Sequence, residues 1–186
     1  ACTITATYSA DPTCTLTTGY TSPAACSACT ITAGNSGPIC AGATYGLTAT
    51  NVAGASYAWT SSSGYSSSTQ NPTGIASPAA GTYTYTVTAT AGATTCTAVT
   101  TLTVNPVPTV TAEPAQTYCA GAAVPLNGFV STPAGATFNW TNSNTAIGLG
   151  ASGSGSVPAF TATNAGAAAI TGTITVTPTL GTCVGP

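Results

Sequence analysis

The chain has no lysine, no arginine and no histidine, and its acidic side chains are Asp11 and Glu113 alone. Each absence removes a class of function. Without a cation nothing neutralises phosphate, so nucleic acid and anionic membrane surfaces are not expected as partners. Without His or Lys no base stands ready to activate a Ser or Thr nucleophile, and spontaneous Lys–Asn isopeptide crosslinks cannot form. Asp11 and Glu113 sit at similar places in their motifs, just before a cysteine. They read as loop residues of different domains rather than as the facing carboxylates of a glycosidase. Calcium sites want several carboxylates, and these are lacking. The glycine stretch Gly150-Ala151-Ser152-Gly153-Ser154-Gly155 leads into no helix pattern and no Lys, so it reads as a flexible or bulged loop and not a phosphate cradle. The expectation is a chain with no catalytic residues, no cofactor and no metal.

Long hydrophobic runs are also missing. The apolar fraction of 43% overstates the core, because alanine supplies much of it. No run approaches the roughly 20 residues that span a bilayer, so membrane insertion is not expected. Ala1-Cys2-Thr3-Ile4 has neither the basic start nor the apolar core of a signal peptide. The sequence reads as a mature product or as a window from something longer. With a formal net charge of -2, little repels one copy from the next, and association is the natural expectation.

What is there begins with eight cysteines: Cys2, Cys14, Cys26, Cys29, Cys40, Cys96, Cys119 and Cys183. Cys26-Ser27-Ala28-Cys29 is the one CxxC, with no second knuckle to complete a zinc site and no α/β pattern to suggest a redox motif. Disulfides in an oxidising compartment, secreted or at the cell surface, are the better reading.

Internal repeats then set the architecture. Ala1-Cys2-Thr3-Ile4-Thr5-Ala6 recurs as Ala28 to Ala33, and Thr109-Val110-Thr111-Ala112 is a third version. Cys40-Ala41-Gly42-Ala43 matches Cys119-Ala120-Gly121-Ala122, Leu47 matches Leu126, and Trp59-Thr60 matches Trp140-Thr141. The chain therefore divides into an N-terminal strand-and-linker segment (1–27), a first repeat (28–106) and a second (107–186). Asn105-Pro106-Val107-Pro108 reads as a stiff connection between the two repeats. Thr82 to Thr88 and Thr97 to Val104 alternate Thr with larger apolar residues around a turn at Ala91-Gly92-Ala93, which predicts a hairpin with one buried face. No stretch has helical periodicity with caps. Short strands with frequent turns predict an all-β fold of tandem sandwiches.

At the second repeat the sequence resembles a known family. Tyr118-Cys119-Ala120-Gly121, Phe138 to Asn144, Ile147-Gly148-Leu149, Gly153-Ser154-Gly155, Phe160 to Asn164 and Ile174-Thr175-Val176-Thr177-Pro178 look like the PKD-like and Ig-like repeats of large Bacteroidota cell-surface proteins, gliding-motility adhesins among them. The first repeat resembles a shorter cousin, through Cys40-Ala41-Gly42, Tyr57-Ala58-Trp59 and Gly81-Thr82-Tyr83. The resemblance covers about residues 28–186. It implies surface-exposed arrays that act as stalks, filaments or adhesins, and it implies no catalysis. The sequence departs from the family in having no Lys or Arg.

Several residues have two readings. Trp59 and Trp140 would suit sugar-stacking platforms, but their matching positions favour core tryptophans on the middle strand of a sandwich. The Thr-x-Thr rows would suit an ice-binding face; without a short solenoid period they read as outer faces of ordinary strands. Asn139-Trp140-Thr141 is a sequon that marks Asn139 as a candidate glycosylation site.

The cysteines allow two schemes. One pairs Cys40 with Cys96 and Cys119 with Cys183, leaving Cys2, Cys14, Cys26 and Cys29 to pair with one another. The other uses staples between domains, Cys40 with Cys183 and Cys14 with Cys96, because in Ig-like topology Cys40 and Cys96 fall at opposite poles. A related expectation concerns the segment Cys2-Thr3-Ile4-Thr5-Ala6-Thr7-Tyr8. The second repeat lacks the last strand that Thr97 to Val104 gives the first, and this segment would complete it in the next subunit. The same strand following in sequence within a longer covalent array is the competing reading. The expected function is a structural subunit or segment of an extracellular filament or adhesin stalk, with itself as the head-to-tail partner. A surface module binding a glycan or a host protein is the alternative.

Overall fold

The computed structural model describes residues 29–186. Among them the regular elements are strands, apart from one 3-10 turn at Thr145–Ile147, so the fold is all-β. In the first repeat the strands are β1 (Ala33–Asn35), β2 (Ile39–Cys40), β3 (Thr44–Tyr45), β4 (Leu47–Ala49), β5 (Ser56–Ser61), β6 (Ser66–Ser67), β7 (Ile75–Ala76), β8 (Gly81–Ala91) and β9 (Thr94–Asn105). A five-stranded sheet runs β2-β9-β8-β5-β6, and β1-β4 and β3-β7 form two small sheets.

The β8–β9 hairpin organises this half. On β8 the residues Tyr85, Val87 and Ala89 are fully buried, while Thr82 and Thr84 are exposed. That is the period-2 consequence of the Thr alternation. The hairpin runs from Gly81↔Val104 to Ala91↔Thr94, longer than the alternation predicts. The added pairs are small residues, such as Ala89↔Cys96 and Thr90↔Thr95, that carry little hydrophobic signal but still complete the backbone ladder. Gly92 closes the turn with φ 59, a left-handed value that glycine adopts without a Cβ penalty. β2 pairs parallel to β9 at Ile39↔Val104 and Cys40↔Asn105.

The core of this half contains Ile31, Tyr45, Leu47, Trp59, Tyr85, Val87, Leu102 and Val104. Trp59 stands opposite Val87 on β8, and its indole N–H donates to the Gln70 carbonyl at 3.0 Å. Tyr45 and Tyr85 share a buried hydroxyl–hydroxyl hydrogen bond of 2.6 Å. Their rings meet edge to face at 5.6 Å.

The second repeat contributes β10 (Thr109–Val110), β11 (Ala123–Val124), β12 (Ser131–Thr132), β13 (Thr137–Asn142), β14 (Ser152–Ser154), β15 (Phe160–Thr161), β16 (Ile174–Leu180) and β17 (Cys183–Val184). Its sheet runs β14-β13-β16-β17, with the pairs β10-β12 and β11-β15 beside it. Trp140 lies opposite Val176 and Gly153, as Trp59 lies opposite Val87 and Ser67. A Cβ at Gly153 would collide with the Trp140 ring, which is why a glycine stands there. The glycine stretch 150–155, expected as a loop, therefore contains an edge strand. Its alternation is hidden because the inward position carries no side chain. The Asn142 amide fixes the following turn by donating to the Asn144 and Leu149 carbonyls, both at 3.0 Å.

Candidate functional site

Two features outside the cores have unusual geometry: a staple between the halves of the chain, and an open edge on β16. The staple begins at the turn Cys40-Ala41-Gly42-Ala43. There Gly42 has φ 86 and the Ala43 N–H donates to the Cys40 carbonyl at 3.0 Å. Cys119-Ala120-Gly121-Ala122 repeats the turn, with Gly121 at φ 87 and Ala122 N–H on the Cys119 carbonyl at 3.0 Å. The same four-residue motif thus presents a cysteine in both repeats.

Cys40 is joined to Cys183, 143 residues away, with Cα atoms 5.6 Å apart. Cys96 is joined to Cys29 across 67 residues. The within-repeat pairs Cys40–Cys96 and Cys119–Cys183 are therefore corrected, and so is Cys14–Cys96. The physical reason lies in the register. Cys40 is level with Asn105 on β9, and Cys96 is nine residues back along that strand, about 30 Å at the usual rise. A disulfide reaches across about 7 Å at most. Cys119 is exposed and has no partner among the described residues. Cys2, Cys14 and Cys26 lie outside them.

The end that carries Cys183 is held on both sides. The Gly185 N–H donates to the Pro178 carbonyl at 2.8 Å, and a Cβ on Gly185 would run into the Pro108 carbonyl. Pro108 and Pro178 are fully buried. On the first-repeat side, the Asn105 carbonyl accepts from Ala41 N–H at 2.9 Å. The proline-containing connection thus meets, through Pro108, the Gly185 end of the second half that the disulfide ties to Cys40. Sequence reasoning missed both the Cys29–Cys96 pair and the role of Gly185. The repeated Cys-Thr-Ile-Thr-Ala motif was a usable signal for the first. A glycine followed by proline gave no distinct signal for the second.

The open edge is on β16. In the first repeat the last strand covers β8 along its whole length, and it puts Leu102 and Val104 into the core at 0% and 2% exposure. In the second, β17 pairs with β16 only at Thr179↔Val184 and Leu180↔Cys183. Among the described residues no strand pairs with Ile174–Thr177 on that side. The hydrophobic cluster of this half is small, with Trp140, Leu149 and Val157 as its buried members. Val176 is half-buried where its counterpart Val87 is fully buried. The Trp140 indole N–H is buried with no partner, whereas that of Trp59 is bonded.

The remaining candidates are dispersed. Trp59 and Trp140 face the two cores, so neither offers a stacking platform to solvent. Asn139 is exposed on β13. Glu113 is exposed, and Asp11 lies outside the described residues. Among the described residues no three metal-ligating side chains cluster. An open groove of about 560 Å³ is lined by Asn35, Gly37, Pro38, Thr100, Thr101, Thr103 and Asn105, none of them ionisable. No protein-family model matches the chain, and no curated protein matches it either.

Proposed function

We propose that the chain is a structural segment of an extracellular filament or adhesin stalk, built from tandem Ig-like or PKD-like sandwiches and associating head to tail with copies of itself. The observation that carries this reading is the Cys40–Cys183 staple. It ties the turn at one pole of the first repeat to the closing hairpin of the second, and it crosses a connection already packed by Pro108. Such a joint resists extension along the chain, which is what a stalk requires and a freely hinged binding module does not. Disulfides also indicate an oxidising setting, and among the described residues no helix is long and apolar enough to cross a membrane. The resemblance to Bacteroidota surface repeats points to the same role, with no reaction chemistry of its own.

Negative-stain microscopy of the purified, disulfide-intact chain tests the reading. Fibres or end-to-end chains support it. Discrete particles that bind a glycan or a host protein would favour the surface-module reading instead.

A further inference from the structure

We infer that the Cys40–Cys183 staple is a load bypass. Tension applied to the chain ahead of Cys29 and beyond Cys183 runs along the segment Cys29–Cys40 and across the disulfide, and both cores stay outside its route. The inference deepens the stalk reading and rests on it for the source of the tension.

The route follows from covalent connectivity. Tension in a crosslinked chain is carried by its shortest covalent route, because a longer branch stays slack until that route is taut. The backbone between Cys40 and Cys183 spans 143 residues. It holds Trp59, Tyr85 and Leu102 of the first core and Trp140, Leu149 and Val157 of the second. Unfolded and stretched, it would lengthen to about 500 Å. The disulfide closes the same separation with Cα atoms 5.6 Å apart, so this backbone is a closed loop that end-to-end pulling does not open. A further crosslink shortens a covalent route or leaves it unchanged, and never lengthens it. The segment Cys2–Tyr8, like the rest of residues 1–28, lies outside the described residues, and the bypass holds whatever its placement.

The segment Cys29–Cys40 has little slack of its own. It runs beside β9 and in the same direction. At its start Cys29 is bonded to Cys96. Further on, the Asn35 amide donates to the Thr100 hydroxyl at 2.7 Å and to the Thr101 carbonyl at 3.0 Å. Gly37 lies against Leu102, and Ile39 and Cys40 pair with Val104 and Asn105. The segment therefore covers the length of β9 from Cys96 to Asn105, about 30 Å, with a backbone that reaches about 40 Å at full stretch. Pulling gains only the difference, about 10 Å. The Cys29–Cys96 bond also stops the segment from sliding along β9. Cys183 is fully buried, which keeps the staple from thiols that would open it by exchange.

Force spectroscopy on single full-length chains, held by handles at their two ends, tests this with three samples. They are the oxidised chain, the Cys40→Ser/Cys183→Ser variant and the Cys29→Ser/Cys96→Ser variant. The oxidised chain should show no lengthening of the size a core supplies. The Cys40→Ser/Cys183→Ser variant should stretch about 260 Å further, because tension then crosses the Cys29–Cys96 bond and enters the backbone from Cys96 to Cys183. The Cys29→Ser/Cys96→Ser variant should match the oxidised chain, since its shortest route is unchanged. The fully stretched length reports the route whether or not a variant keeps its fold. A core-sized lengthening of the oxidised chain or of the Cys29→Ser/Cys96→Ser variant would overturn the inference. So would a Cys40→Ser/Cys183→Ser variant no longer than the oxidised chain. Fibres from a chain that fails this test would leave the filament reading standing, whereas a chain that passes it and forms no fibres would overturn that reading and leave the bypass intact.

Discussion

Cys40 and Cys183 join the two repeats by a disulfide, although 143 residues separate them in sequence. Cys40 lies level with Asn105, away from Cys96, which excludes Cys96 as its partner. Trypsin has no site in this chain, because it holds no Lys or Arg. Mass mapping after chymotrypsin digestion without reduction is expected to recover peptides linked through Cys29–Cys96 and Cys40–Cys183. A Cys40–Cys96 peptide would contradict the register described above. Replacing Cys40 and Cys183 together with serine should cost up to about 4–5 kcal/mol, the chain-entropy value for closing so long a loop.

Gly185 is sensitive to size. It lies against the Pro108 carbonyl, and its own N–H is committed to Pro178. Gly185→Val forces the two segments apart, and overpacking of this kind costs about 1–3 kcal/mol. The expected result is a lower unfolding midpoint for the second repeat. The first should be unchanged, as read by separate amide-exchange probes on β16 and β8.

The two tryptophans should respond unequally to phenylalanine. Trp59→Phe removes the donor to the Gln70 carbonyl, which leaves a part-buried acceptor unpaired at a cost of about 1–3 kcal/mol. Trp140→Phe removes an N–H that has no partner among the described residues, so the loss is confined to packing. Chemical denaturation of each variant checks this. Equal destabilisation would contradict the asymmetry between the two cores.

Alkaline pH should weaken the first repeat. Burial raises the Tyr45 hydroxyl well above its ordinary value, helped by its hydrogen bond to Tyr85 and by the nearby Tyr85 and Tyr65. The folded state then keeps a proton that the unfolded state releases above about pH 10, so stability falls as pH rises. The contribution is fully present below the unfolded pKa and is lost progressively above it. Tyr45→Phe should flatten this alkaline limb, as read by circular dichroism against pH. An unchanged limb would show that Tyr45 does not drive it.

Much of the fold was legible where side chains of two sizes alternate. The Thr–Tyr–Val pattern of 82–88 marked the hairpin, and the matched Trp59 and Trp140 marked the middle strands. Legibility failed where backbone did the work without a side-chain signal. Examples are the edge strand at Ser152–Ser154, the added hairpin pairs near Ala91, and the Gly185 contact. The disulfides were only half legible, because pairing depends on the level of each cysteine along a sheet. Spacing in sequence does not report that level. The unpartnered Trp140 N–H left no signal in the sequence.

Sedimentation velocity of the disulfide-intact chain over a range of concentrations tests the head-to-tail account most directly. A heterologous contact that does not close predicts a ladder of species that lengthens steadily with concentration. A single monomer, or a closed dimer that stops growing at every concentration, would contradict it.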